Sequence, residues 1–154
     1  MWRRTLSRPN PKSVTLYSDG SSLGNPGPGG YAGILEYRGK RKEYWGGEPH
    51  TTNNRMELRA VIEGLKLLRE PCRVEVVTDS SYVAKAINEW LPGWVKRNFK
   101  KVKNPDLWRE YLEAAAPHRV HATWVRGHDG HPENERCDQL AREEAERQKE
   151  RAHG

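Results

Sequence analysis

The chain has 154 residues, with 27 lysines and arginines against 21 aspartates and glutamates and a formal net charge of +6. That is enough for one domain with a sizeable core, and it favours nucleic acid or another polyanion as partner; a basic protein with no such partner is the alternative on charge alone. The aromatic residues and the periodic apolar blocks exclude a disordered chain, and no run approaches 18 apolar residues, so nothing spans a membrane. Cys72 and Cys137 stand outside any C-x-x-C pattern and are too few for a disulfide framework, which points to a reducing, cytoplasmic compartment. Met1-Trp2-Arg3-Arg4 has no apolar core behind it and does not read as a signal peptide.

Residues 1–12 are polar, carry Pro9 and Pro11, and read as a flexible arm. Residues 14–18 alternate like a strand, and Gly24-Asn25-Pro26-Gly27-Pro28-Gly29-Gly30 reads as a turn or loop. Residues 31–37 and 42–45 form two further strands about a hairpin turn at Arg38-Gly39-Lys40. A helix follows over residues 55–68, with Leu58, Val61, Ile62, Leu65 and Leu68 as its apolar stripe. Residues 73–78 are a strand and 80–87 a short helix. Residues 88–104 are basic and aromatic and contain Pro92 and Gly93. Asn104-Pro105 opens a helix, with asparagine as cap and proline at the first helical position, and this helix ends before Pro117. Residues 120–125 make a fifth strand. A last helix starts near Pro132, and residues 147–154 read as a charged tail, although the alternating signs from Glu143 to Arg151 also suit a longer helix. Strands followed by alternating helices and strands suggest an α/β fold with a mixed sheet covered by helices. Ligands then bind beyond the carboxyl ends of the parallel strands.

Four acids sit in segments that place them there. Asp19 and Asp79 end the apolar runs of what would be neighbouring parallel strands; Glu57 lies in the first turn of its helix; Asp138 lies near the start of the last one. Each has a plain alternative. Asp19 and Asp79 suit turns, and Asp138 suits an early helical turn. Asn54-x-x-Glu57 matches a capping pattern. Yet at 100° per residue Glu57 falls beside Val61 and Leu68, on the edge of the apolar stripe, where an acid needs a partner. Four acids converge only if something offsets their repulsion, and a pair of hard divalent cations does so.

His128 lies in Gly127-His128-Asp129-Gly130-His131. It suits a proton carrier on a loop; the alternatives are a loop histidine without a role, or a transition-metal site with His131 and Cys137, whose spacing matches no common zinc pattern. Between Trp90 and Asn104 the chain carries Trp90, Trp94, Lys96, Arg97, Phe99, Lys100, Lys101 and Lys103 and no acid. Cations bind phosphates and flat rings pack on sugars or bases, so this segment reads as nucleic-acid binding rather than a solvated charged helix.

Five ordered motifs carry a resemblance: Tyr17-Ser18-Asp19-Gly20-Ser21, residues 24–30, Thr51-Thr52-Asn53-Asn54-Arg55-Met56-Glu57-Leu58, Thr78-Asp79-Ser80, and residues 127–138. On them the chain resembles a bacterial type 1 ribonuclease H over residues 13–146. The resemblance implies a ribonuclease H-like fold, with three antiparallel strands then two parallel ones, flanked by helices. It implies hydrolysis of the RNA strand of an RNA–DNA hybrid by two Mg²⁺ ions, with Mn²⁺ able to substitute, leaving 5′-phosphate and 3′-hydroxyl ends; other nucleases of this superfold and an inactive binding module are the competing readings. By the same resemblance Asp19, Glu57, Asp79 and Asp138 hold metal, and His128 helps product leave. Asn25, Asn53, Asn54 and Ser81 contact the RNA strand, where 2′-hydroxyls mark RNA. Thr52, Tyr82, Trp90 and Trp94 contact the DNA strand, and Lys96, Arg97, Lys100, Lys101 and Lys103 form a basic handle. The expected protein is a cytoplasmic monomer with no membrane and no obligate protein partner. The sequence departs from the pattern in a short handle interrupted by Pro92, in Ser81 where glutamine is common, in His50 where some relatives place a phosphate-gripping arginine, and in Asp129, which beside His128 would raise the histidine pKa.

Overall fold

The computed structural model describes residues 11–127 and 131–153. Its strands are β1 (Lys12–Ser22), β2 (Gly27–Tyr37), β3 (Lys40–Thr51), β4 (Cys72–Thr78) and β5 (Arg119–Trp124). Its α-helices are α1 (Asn53–Lys66), α2 (Ser81–Lys85), α3 (Leu91–Lys96), α4 (Pro105–Ala115) and α5 (Pro132–His153), and a π-helical turn (Ala86–Trp90) joins α2 to α3. The strands form one mixed sheet in the order β3-β2-β1-β4-β5. The β1–β2 and β2–β3 pairs are antiparallel, and β4 runs parallel to both β1 and β5. No helix among the described residues is long and apolar enough to cross a membrane.

Strand alternation divides the core between the two faces. On one side Leu16 and Leu35 meet Leu58, Val61, Ile62 and Leu65 of α1 and Leu107, Trp108 and Tyr111 of α4. On the other, Ala32, Ile34 and Tyr17 pack on Cys137, Leu140 and Ala141 of α5. The expected apolar stripe of α1 is therefore its buried face.

Local differences from the sequence reading have physical causes. Residues 27–30 are not loop but the first part of β2, paired with β1 as far as Ser22 opposite Gly29. The glycines are there because neighbours come close. A Cβ on Gly29 would strike Thr51, and one on Gly30 would strike the α5 backbone at Ala141. β1 consequently runs three residues past Asp19, and β3 extends from Lys40 to Thr51, well beyond residues 42–45. α1 begins at Asn53, not residue 55, because its cap is Thr52, whose hydroxyl accepts from Arg55 N at 3.2 Å. Glu57 thus lies beyond the first turn, and Asn54 caps nothing. Pro92 does not interrupt a helix; it sits in the first turn of α3, where a missing N–H is tolerated. Asn104 precedes α4 as expected but makes no side-chain cap bond; its amide spans Arg55 and Tyr82 instead. Residues 147–153 are not a tail but the last turns of α5, where Gln148 is buried and donates to Glu144 at 3.0 Å.

Candidate active site

The site forms where β1 and β4 run side by side, with Ser18 opposite Thr78, so that Asp19 and Asp79 become neighbours. Asp19 projects from within β1 and is 6% exposed. Glu57 reaches it from α1 and is 8% exposed. What lets α1 come so close is Gly20: any Cβ there would strike the backbone of Met56 and Glu57. The same glycine serves both acids with one group, because its N–H donates to Asp19 Oδ1 at 2.9 Å and also to Glu57 Oε1. Asp79 follows β4 and is exposed. One carboxylate oxygen from each of Asp19, Glu57 and Asp79 falls within 4.8 Å of the others. Asp138 lies two turns into α5 and lines the same cleft, outside that triple.

This proximity is costly. Burial, and then the Asp79 and Asp138 carboxylates, push the Asp19 carboxyl up from 3.8 to about 7. Burial, and then Asp19, hold Glu57 well above its usual 4.5. Among the described residues no lysine or arginine forms an ion pair with Asp19, Glu57 or Asp79. Three hard oxygen donors with no internal counter-charge suit a divalent cation of the Mg²⁺ type. The alternative zinc set fails on Cys137, which is sealed in the second core with its Sγ donating to Tyr17 O at 3.5 Å, its thiol pushed upward by burial. His128 and Asp129 lie outside the described residues.

The other predicted residues surround the acids. Asn53 Oδ1 accepts from Ser22 N at 2.7 Å, and Asn25 Oδ1 accepts from Asn53 N at 3.2 Å. Their carbonyl oxygens tie β1 and the turn after it to the start of α1, and neither NH₂ group donates to another group among the described residues. Asn53, Asn54, Ser81 and Tyr82 line the carboxylate cleft. Tyr82 Oη accepts from Trp108 Nε1 at 2.8 Å and from Asn104 Nδ2 at 3.2 Å, which fixes its ring. Trp90 and Trp94 lie 5.8 Å apart between centroids, and Trp94 leans on buried Trp108 at 5.5 Å. With Gly93 and Arg97 they line an open groove of about 580 Å³ that also contains Glu89. Lys96, Arg97, Lys100, Lys101 and Lys103 are all exposed, and none forms an ion pair among the described residues. Phe99 is buried beneath Arg109, 5.0 Å from its ring, and anchors this segment.

Two residues at the site went unnoticed in the sequence. Trp124 ends β5 half-exposed, and its indole N–H donates to Asp79 O at 3.0 Å, steadying that acid's backbone. Arg142 pairs with Asp138 at 2.9 Å. Its signal was the spacing of four on a helix.

Residues 11–146 match the family model described as RNase H. The chain belongs to the ribonuclease H family. It is 81% identical over 136 residues to a ribonuclease H of Sulfurovum sp. (strain NBC37-1), covering 88% of this chain and 92% of that one. It is 58% identical over 136 residues to ribonuclease HI of Helicobacter pylori (strain ATCC 700392 / 26695), covering 88% and 95%. Among solved structures it resembles LC9-RNase H1, a type 1 RNase H with the type 2 active-site motif, with a TM-score of 0.83 and 38% identity over 92% of this chain and 76% of that one. LC11-RNase H1, solved in complex with RNA/DNA hybrid, shares the fold at a TM-score of 0.64 and 23% identity, over 87% and 97%. The chain is thus a bacterial ribonuclease H of type 1, a nuclease, with the five-stranded mixed sheet of that family.

Proposed function

We propose that this ribonuclease H cuts the RNA strand of RNA–DNA hybrids by hydrolysis, using two divalent cations, Mg²⁺ by preference with Mn²⁺ as a substitute, and leaves 5′-phosphate and 3′-hydroxyl ends. The observation that carries the reading is the cluster of Asp19, Glu57 and Asp79, without a basic partner among the described residues, beside a cleft lined with asparagines. These three and Asp138 would hold the ions, which when bound activate a water and stabilise the departing oxygen. Asn25, Asn53 and Asn54 present amide N–H donors, and Ser81 a hydroxyl, for the 2′-hydroxyls that distinguish RNA from DNA. Thr52 accepts from Arg55 N as a cap, yet its O–H can still donate to a DNA phosphate. Tyr82, Trp90 and Trp94 offer flat surfaces to the DNA sugars, and the five cations from Lys96 to Lys103 grip phosphates without reading sequence. His128, which falls between β5 and α5 in the sequence, carries a proton and eases departure of product. Two buried free thiols, Cys72 and Cys137, support a reducing cytoplasmic setting. We place the protein there as a monomer without an obligate protein partner.

The test is cleavage of a hybrid labelled on each strand, with Mg²⁺ and then with EDTA, for the wild type and Asp79→Asn. Cutting confined to the RNA strand and dependent on both metal and Asp79 is expected. Tight binding without cutting would reveal an inactive module, and cutting of the DNA strand would assign a different nuclease.

A further inference from the structure

The four acids of the site differ in what faces them. Among the described residues, Asp138 alone has a basic partner: Arg142 lies 2.9 Å from its Oδ2. An exposed ion pair one turn apart on a helix is ordinarily worth little. This one differs in position. Asp138 lines the cleft of Asp19, Glu57 and Asp79, and its side chain is only 25% exposed, whereas that of Arg142 is 64% exposed. The pair therefore sets a cation at the rim of a cluster that otherwise has none. Arg142 also lines a neighbouring cavity of about 380 Å³, between the end of β1 at Ser21 and Leu23 and the surface of α5. Glu146, four residues further along α5, lines that cavity too. Spacing of four puts Glu146 on the same helical face as Arg142, so the guanidinium has acids one turn to either side.

We propose that Arg142 is the built-in counter-cation of this site: a positioning residue that holds Asp138 at the rim of the ion-free cluster, competes with the divalent ion that takes Asp138, and moves towards Glu146 when that ion binds. The proposal rests on the divalent-ion reading of the four carboxylates. It makes Arg142 the residue that sets the ion concentration at which the site fills. Its charge opposes the arriving ion, and Glu146 relieves that opposition by drawing the guanidinium away.

Two variants of opposite expected sign test it, with ion binding rather than activity as readout. Mg²⁺ and Ca²⁺ would be titrated calorimetrically into the substrate-free protein, with thermal shift as a second measure and circular dichroism as the check on folding. R142Q should bind the ions about three- to tenfold more tightly than wild type, the size expected of one screened charge near the site. R142K, which keeps the charge, should stay near wild type. E146Q should bind about twofold more weakly. Unchanged or weaker binding by a folded R142Q overturns the proposal, and so does E146Q binding more tightly. A wild type that binds neither ion refutes the divalent-ion reading itself, a separate failure.

Discussion

The carboxylate end and the segment from Trp90 to Asn104 are built on opposite plans. At the first, Asp19 and Glu57 are buried, held by the N–H of one glycine and pressed against each other with no basic side chain paired to either among the described residues. At the second, five cations stand free in solvent on a short helix and turn whose interior anchors are Phe99 and Trp94. The difference teaches how one chain divides its labour. Reaction chemistry needs charges held rigidly near one another at a cost to stability, and the backbone must enforce that geometry. Gripping a phosphate backbone needs only positive charge in roughly the right place, so long flexible side chains suffice.

That contrast can be broken in a graded series. Asp79→Asn should cause the largest change: a loss of about a thousandfold or more in turnover with melting temperature nearly unaltered, because Asp79 is exposed and contributes charge rather than packing. Replacing Lys96, Arg97, Lys100, Lys101 and Lys103 together with alanine should weaken hybrid binding about ten- to a hundredfold at moderate salt. The slope of log affinity against log salt should fall by about 4, while turnover at saturation is kept.

A pH series in EDTA sharpens the comparison from the side of stability. The folded-state pKa of Asp19 lies near 7 against an ordinary 3.8, so the folded state binds the proton more tightly than the unfolded one. Its contribution to stability is then greatest below pH 4 and is lost as pH rises towards 7. Melting of the ion-free protein at pH 8 should accordingly be raised by Asp19→Asn, by an amount on the order of a few kcal/mol, and Glu57→Gln should act in the same direction. Saturating Mg²⁺ should abolish the advantage. The smallest change is in stability: Thr52→Ala removes the α1 cap and should cost about 1 kcal/mol by chemical denaturation, and the loss of its phosphate contact should show only as weaker hybrid binding, not in turnover at saturation.

The site was more legible than the elements that carry it. Asp19 and Asp79 could be paired from the sequence because each ends a run of strand-forming residues, and parallel strands deliver such residues to one edge. Glu57 was betrayed by its place on the edge of an apolar stripe. What stayed hidden depended on contacts distant in sequence. Nothing local in residues 27–30 says that Gly29 and Gly30 are matched to neighbours, Thr51 and α5, that leave no room for a side chain. The cap at Thr52 was masked because Asn53 and Asn54 are equally good cap residues by type, yet Asn53 is bound to Ser22. The end of α5 read as a tail because it is charged and lacks an apolar stripe; its alternating signs suited a longer helix as well, and only the packing of Gln148 beside Gly47 shows that one face is covered.

The most direct test of the division between the two regions is single-turnover cleavage of a hybrid labelled in its RNA strand, with enzyme in increasing excess, for Asp79→Asn and for the fivefold alanine variant. The account predicts that the alanine variant regains the wild-type rate once enough enzyme is present, while Asp79→Asn stays about a thousandfold or more below that rate at every concentration. A fivefold variant that saturates at a rate far below wild type, or an Asp79→Asn protein rescued by excess enzyme, would contradict it.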